Sequence, residues 1–245
     1  MTTKSFSTEE LADRWMDLRD IQNLMGKYVY YKQLKDETKL VSDFWSKRDD
    51  ITLGVNNGYY KGEEAIRGYY NAVDTNTRIR TEHMKNLFPK HFKDKTLEEM
   101  HGVGSIEVDA LTTCVLELSE DGETAKGLWY VLGEDTNIHP EGPYSYLAYG
   151  YIAGDFVREG DDWKVWHLLD IEDLNTPVGF NWTKPIEAPE ILPEFAALKD
   201  KLIEMPEPTV KTQVHKAYRV DRPTAPLVRI PEPYVSFKDT FSYGI

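Results

Sequence analysis

The chain has 245 residues and a formal net charge of −13 at pH 7, from 42 acidic and 29 basic residues. Because binding to a nucleic-acid backbone depends on clustered Lys and Arg contacts, we expect no nucleic-acid partner. Cys114 is the single cysteine, which excludes an intrachain disulfide or a thiolate metal cluster. The residues from Met1 to Glu10 lack signal-peptide features and no apolar run is long enough to cross a bilayer, so we expect a cytoplasmic protein that does not bind membranes.

The first part of the chain predicts helices. Ser7 and Glu10 have the spacing of a capping box and open a helical pattern, which predicts an amphipathic helix of about five turns. Its apolar residues are Leu11, Trp15, Leu18, Ile21, Met25 and Tyr28. A second helix is predicted from near Asp36, then a strand over residues 51–55 with a turn at 56–58, and then a short third helix after Gly62.

From His101 onward the apolar pattern has a period near two, which is typical of strands. The predicted strands cover residues 103–108, 112–118, 125–132, 145–157 and 163–171. Helices followed by a series of antiparallel strands predict an α+β fold.

The last predicted hairpin carries a carboxylate, Asp155, and an imidazole, His167. Because strand side chains alternate, an even hairpin loop places the two on opposite faces of the sheet, whereas a three-residue loop places them directly opposite each other on one face. On one face, Asp155 could orient His167 as a general base. The alternative is a surface carboxylate and a core histidine.

Several phrases of the sequence, in this order, resemble the nuclear transport factor two-like superfamily and its SnoaL-like branch. They are Lys27-Tyr28-Val29, residues 44–51, 60–70, 106–108, 121–130 and the hairpin from Asp155 to His167. The resemblance covers residues 10 to 174 and implies a curved antiparallel sheet wrapped around the N-terminal helices, which forms a cone with an apolar pocket. It also implies a small-molecule ligand and a homodimer or homotrimer.

Within this superfamily, Tyr28 matches the tyrosine of ketosteroid isomerase that donates to the substrate carbonyl. The same residue ends the apolar stripe of the first helix, so it could equally be a core aromatic residue. The aspartate base of the isomerase would fall near Val55, which argues against steroid isomerisation by the same route.

His101 resembles in its placement the histidine of the bile acid dehydratase of this superfamily. The partner aspartate of that enzyme would fall near Gln33, so a carboxylate that orients His101 must come from elsewhere, with Asp155 and Asp170 as candidates.

The segment from Thr77 to Lys95 is the one basic stretch of the chain. It is interpreted either as a solvated loop or as a lid whose Arg78 or Arg80 binds a phenolate or carboxylate of the substrate. No pair of histidines has metal-ligand spacing and no glycine-rich nucleotide motif is present, so we expect neither a metal nor a cofactor.

Aromatic residues are abundant on the predicted strands, and alternate ones face the inside of the cone. Tyr149, Tyr151 and Trp129 are therefore candidates for binding a flat, hydroxylated aromatic or polycyclic ligand.

Residues 1–175 are predicted to form the cone domain, and residues 176–245 an extended arm that packs on the cone or on a partner subunit. The arm holds 10 of the 13 prolines, and its one helix candidate covers residues 194–204. Because proline removes ladder hydrogen bonds, we do not expect the arm to be an ordinary sheet.

The leading functional hypothesis is a cofactor-independent lyase, of the dehydratase or retro-aldol type, that acts on a hydroxylated aromatic or polycyclic compound. His101 or His167 would be the base, Asp155 would orient it, and Tyr28 would bond the substrate oxygen. The alternatives are an isomerase of the ketosteroid type and a non-catalytic small-molecule binding module.

Overall fold

The computed structural model describes residues 4–183, 190–221, 223 and 228–245; the rest of the predicted arm lies outside the described residues. The helices are α1 (Thr8–Gln33), α2 (Glu37–Ser42), α3 (Glu63–Leu87) and α4 (Leu198–Lys201). The strands are β1 (Thr52–Val55), β2 (Gly58–Lys61), β3 (Ile106–Leu118), β4 (Thr124–His139), β5 (Gly142–Glu159), β6 (Asp162–Pro177) and β7 (Val210–Lys211). In the described residues, the longest helices are too polar to cross a membrane.

The two long helices both exceed the lengths predicted for them. The capping box of α1 is confirmed: Ser7 Oγ accepts from the Glu10 amide at 3.1 Å, and Glu10 accepts from the Ser7 amide at 2.7 Å. The helix continues for 26 residues and buries Ile21, Met25 and Tyr28. The third helix, predicted to be short, has 25 residues. The loop interpretation of the basic stretch is therefore wrong from Thr77 to Leu87, which form the C-terminal half of α3.

The strands form one open, curved sheet in the order β3-β4-β5-β6-β1-β2-β7. The fold is the predicted α+β cone, although β1 pairs with β6 in parallel rather than antiparallel fashion. The two strands predicted between residues 103 and 118 are a single strand, β3, that is interrupted by an irregularity between Thr112 and Val115.

The two faces of the sheet have different coverings. On the inner face, side chains such as Ile152, Phe156 and Leu168 form the main core with helix α1. On the outer face, Ala153, Leu169 and Ile171 form a second cluster with Val228 and Tyr243 near the C-terminus. Alternate residues of β5 and β6 therefore belong to different cores, as a strand requires.

The register of the β5–β6 hairpin differs from both predicted alternatives. Glu159 pairs with Asp162, so the loop has two residues, yet Asp155 pairs directly with His167. A bulge at Trp166 accounts for this, because the register shifts by one residue between Phe156 and Asp155. The bulge turns His167 from the inner face, where Val165 lies, to the outer face.

The described part of the C-terminal region packs along the sheet and helix α3. Strand β7 pairs with β2, and Phe195 and Leu198 pack with Ile138. The helix predicted over residues 194–204 is confined to α4, with four residues. The division into a cone domain and an arm stays a prediction.

We expect Leu53→Ala to lower the free energy of unfolding by about 2–5 kcal/mol, because it empties a fully packed site where Leu53 is 1% exposed. The matched control is Leu34→Ala, which removes the same atoms from a side chain that is 70% exposed and should change stability by less than about 0.5 kcal/mol. Urea titrations of both variants give the comparison. Equal losses in the two variants would contradict the assignment of the core.

Candidate functional site

A polar cleft opens on the inner face of the sheet, with a volume of about 140 Å³. Helix α1 contributes Lys32 from its last turn, and strand β3 contributes Glu107 and Asp109, which share a face because they are two residues apart. Asp135 comes from β4 and Asp170 from β6. Small residues leave the space open: Gly133, Ala148 and Gly150.

The centre of the cleft is the ammonium group of Lys32. Its Nζ lies 2.8 Å from Asp109 Oδ2, 3.2 Å from Glu107 Oε1 and 3.4 Å from Asp170 Oδ2. Burial by itself would lower the pKa of Lys32, but the three carboxylates outweigh burial and raise the pKa well above its usual value. Lys32 therefore stays charged and neutralises part of the acidic lining.

Tyr28 lies one helical turn before Lys32 and reaches the same carboxylate. Its hydroxyl donates to Asp170 Oδ2 at 3.2 Å and lies 3.4 Å from the hydroxyl of Tyr70. Burial, together with Tyr70 and Asp170, raises the pKa of Tyr28 well above its usual value. The hydroxyl is thus a neutral hydrogen-bond donor to Asp170, a carboxylate of the cleft.

The pKa values of the acidic side chains of the cleft are shifted in different directions. Burial would raise the pKa of Glu107, but Lys32 and Lys35 outweigh burial and hold it below its usual value. Burial raises the pKa of Asp109 despite Lys32. Burial and the neighbouring Glu107 raise the pKa of Asp135 to about 6. Asp135 therefore changes charge near neutral pH, as a general acid or base does.

The sequence profile of the SnoaL-like domain matches residues 13–168, which is more than half of the chain. The chain belongs to the SnoaL-like family. Its cone is the fold of the nuclear transport factor two-like superfamily. A search of the curated proteins found no match.

Three solved structures are similar to this chain to different degrees. The type 2 hexachlorocyclohexane dehydrochlorinase LinA is 20% identical over 71% of this chain and 97% of its own, with a TM-score of 0.50. The type 3 LinA of Novosphingobium barchaimii LL02 is 22% identical over 71% and 99% of the two chains, with a TM-score of 0.48. A putative scytalone dehydratase of Novosphingobium aromaticivorans is 16% identical over 72% and 97%, with a TM-score of 0.46.

Two of the predicted site residues, Asp155 and His167, contact each other outside the cleft of the SnoaL-like cone. His167 Nδ1 lies 2.8 Å from Asp155 Oδ2, and Lys126 Nζ lies 2.5 Å from Asp155 Oδ1. All three side chains are buried on the outer face of the sheet, under residues near the C-terminus. Tyr28 is the one predicted catalytic residue that reaches the cleft carboxylates.

The structure also places His101 away from the proposed carboxylate partners. Its Nε2 lies 3.5 Å from Asp74 Oδ1 of helix α3, so the neighbouring carboxylate is neither Asp155 nor Asp170. Asp74 also accepts from Arg78 Nε at 2.8 Å, and Arg78 contacts Glu98 at the surface.

Arg80 and the three predicted aromatic residues occupy four different environments. Arg80 donates to the Ile138 carbonyl at 2.9 Å, and its pKa is lowered by burial. Trp129 is buried in the inner core, whereas Tyr151 packs against Tyr130 on the outer face. Of the three aromatic candidates, Tyr149 alone is among the described residues that line the cleft.

Sequence reasoning missed Lys32, Glu107, Asp109 and Asp135 as site residues. Two signals were available. Lys32 follows Tyr28 by four residues, which places both on one face of α1. Glu107 and Asp109 are acidic residues at alternate positions of a strand that was expected to line an apolar pocket. A charged pair on an inward face requires a partner, and the lysine of α1 supplies it.

Removal of the lysine should make stability depend on pH in a new way. In Lys32→Gln, Glu107 keeps Lys35 but loses Lys32, so the pKa of Glu107 rises in the folded state. A raised folded-state pKa of an acid disfavours folding at neutral pH, and this cost decreases as the pH falls through the new value. We therefore expect Tm to drop at pH 7 and to recover partly at pH 5. The control Lys27→Gln, exposed on the same helix, should show neither change.

Proposed function

We propose that this SnoaL-like protein is a cofactor-independent lyase that removes water from a hydroxylated aromatic or polycyclic compound in the inner cleft. The observation that carries the proposal is the carboxyl group of Asp135, with a pKa of about 6, in a cleft that also holds the charged Lys32. The neutral hydroxyl of Tyr28 is bonded to another carboxylate of the cleft, Asp170.

The elimination needs one group that accepts a proton and one donor that stabilises the developing negative charge. Ionised Asp135 takes the proton from the carbon next to the carbon that bears the hydroxyl. The carbon–carbon double bond forms as the C–O bond breaks, and protonated Asp135 returns its proton to the leaving hydroxide, which departs as water. In this proposal the Tyr28 hydroxyl, which donates to Asp170 in the structure, donates instead to the substrate oxygen on which negative charge develops. No oxidant or reductant is required.

A carboxylate base fits this geometry better than either predicted histidine. Among the described lining residues of the cleft there is no histidine. His167 is 4% exposed on the other face of the sheet, and His101 lies beside Asp74. In the proposal, Tyr28 keeps its predicted role, whereas both histidines have structural roles.

The test is mass spectrometry of phenolic, diaryl and steroid-like compounds incubated with the protein and no cofactor. Loss of water from a compound supports the lyase; a product of unchanged mass supports an isomerase. Binding without conversion supports the binding module. Loss of formaldehyde would identify the retro-aldol type instead. If His101→Ala abolishes turnover while the protein stays folded, the assignment of the base to Asp135 is wrong.

Asp135→Asn should lower kcat/KM by about 10²–10⁴-fold, because it removes the general base. In the wild type, kcat/KM should rise as the pH increases through about 6, since the base is active when ionised. This limb of the pH–rate profile should be missing from the residual activity of Asp135→Asn. Asp13→Asn, at an exposed position of α1, is the matched control and should leave both the rate and the limb unchanged.

The cleft should also discriminate by charge. Its described lining residues include six acidic residues, Glu107, Asp109, Glu134, Asp135, Asp170 and Glu172, and one basic residue, Lys32. A neutral phenolic ligand should therefore bind at least about tenfold more tightly than the same compound with an added carboxylate, and salt should narrow the difference. Isothermal titration calorimetry at two ionic strengths measures both effects. Tighter binding of the carboxylated compound would contradict the proposed substrate class.

A further inference from the structure

A second cluster of charged groups lies on the outer face of the sheet, outside the cleft. It consists of Lys126 on β4, Asp155 on β5 and His167 on β6, and we call it the outer-face cluster. Lys126 and Asp155 are fully buried, and His167 is nearly so. Three buried ionisable groups on adjacent strands are expensive to desolvate, so they require fixed partners. The elimination proposed above uses none of them.

Residues near the C-terminus complete the polar contacts of this cluster. The Tyr243 amide donates to Asp155 Oδ2 at 2.8 Å, and Ser242 Oγ donates to the same oxygen at 3.2 Å. Gly244 lies against the imidazole ring of His167, so closely that a Cβ at this position would overlap the ring. Only glycine fits at this point of contact.

Aromatic residues of the same segment surround the ammonium group of the cluster. Lys126 Nζ lies 4.5 Å from the ring centroid of Phe241 and 4.6 Å from that of Phe237. The rings of Tyr234 and Tyr243 are also near, at 5.9 and 5.3 Å. Cation–π contacts of this kind are strongest when water is excluded. The residues from 234 to 244, here called the C-terminal segment, therefore bind the cluster through both hydrogen bonds and aromatic rings.

The same segment contacts the bulge of β6. The ring of Phe237 lies 4.3 Å from that of Trp166, the bulged residue, which in turn stacks on His167 at 4.6 Å. The indole of Trp166 also donates to Asp50 Oδ1 at 2.8 Å. The bulge is thus held by a carboxylate of the cone on one side and by the C-terminal segment on the other.

The bulge decides which side chains of β6 enter the cleft. After Trp166, the strand places His167 and Leu169 on the outer face and Asp170 on the inner face. Without the extra residue, each of these side chains would point to the opposite face, because the side-chain period of a strand is two. The contact of Asp170 with Tyr28 and Lys32 therefore depends on the bulge.

We propose that the C-terminal segment, bound to the outer-face cluster, holds the bulge at Trp166 and thereby positions Asp170 in the cleft. Ser242, Tyr243 and Gly244 are positioning residues in this account: they lie on the opposite face of the sheet from the cleft and act through β6. The consequence for turnover rests on the proposed function, whereas the consequence for the structure of β6 does not.

The full-length variant Gly244→Ala tests the proposal, because the added methyl group would overlap the ring of His167 and displace the segment. We expect faster amide hydrogen exchange over residues 234–244 and also over residues 165–171 of β6. If the protein has the proposed lyase activity, we also expect kcat to fall at least about tenfold. The rate is measured well below the Tm of each variant. Ile245→Ala, at the exposed neighbouring residue, is the matched control and should change neither measurement.

A double variant separates positioning from general damage. The nearest atoms to a Cβ at Gly244 belong to His167, so His167→Ala makes room for the methyl group. In His167→Ala/Gly244→Ala, exchange over residues 234–244 should be slower than in Gly244→Ala alone, a coupling that a double-mutant cycle detects. If Gly244→Ala accelerates exchange in the segment but leaves residues 165–171 unchanged, the segment is only a cover and the proposal is overturned. Exchange is measured without substrate, so this result stands even if the protein proves to have no lyase activity.

Discussion

The buried carboxylate of Asp155 is the constraint on which the register of the sheet depends. It lies between Lys126 on one neighbouring strand and His167 on the other, and it accepts a backbone amide from Tyr243. A carboxylate without such partners would cost several kcal/mol to bury. In a regular two-residue hairpin, Asp155 would face Trp166, and His167 would point into the apolar inner core. The bulge at Trp166 avoids both costs, since it brings the imidazole to the carboxylate and leaves Val165 and Leu168 in the core.

The inner cleft solves a related problem with a different balance of charge. Lys32 contacts Glu107, Asp109 and Asp170, and Lys35 also contacts Glu107, so that two cations face three carboxylates. Partial burial and the neighbouring Glu107 raise the pKa of Asp135 to about 6. A carboxyl group that titrates near neutral pH is therefore a consequence of local burial and charge, and such a group can act as a general acid or base.

The sequence predicted what depends on local pattern and missed what depends on long-range pairing. The capping box of Ser7 and Glu10 is local, and it was found. The length of α3 was underestimated, because few of the residues from Asn71 to Leu87 are apolar although the helix continues. The bulge at Trp166 has no local signal, since it follows from the partners of Asp155 across two strands. Tyr28 was identified from a family phrase. Lys32, Glu107 and Asp109 were missed, because they form a site only where α1 packs against β3.

Strand β6 carries contacts to both charge clusters, with His167 on one face and Asp170 on the other. A slip of one residue would exchange the faces, placing an imidazole in the apolar core and a carboxylate under the aromatic C-terminal segment. A single slip would cause both errors. The contacts of either cluster therefore disfavour a register that would also break the contacts of the other cluster. Apolar residues alone would specify this register weakly, because Leu168, Leu169 and Ile171 fit either face. The buried charges on the two faces thus supply the specificity that the hydrophobic pattern of β6 lacks.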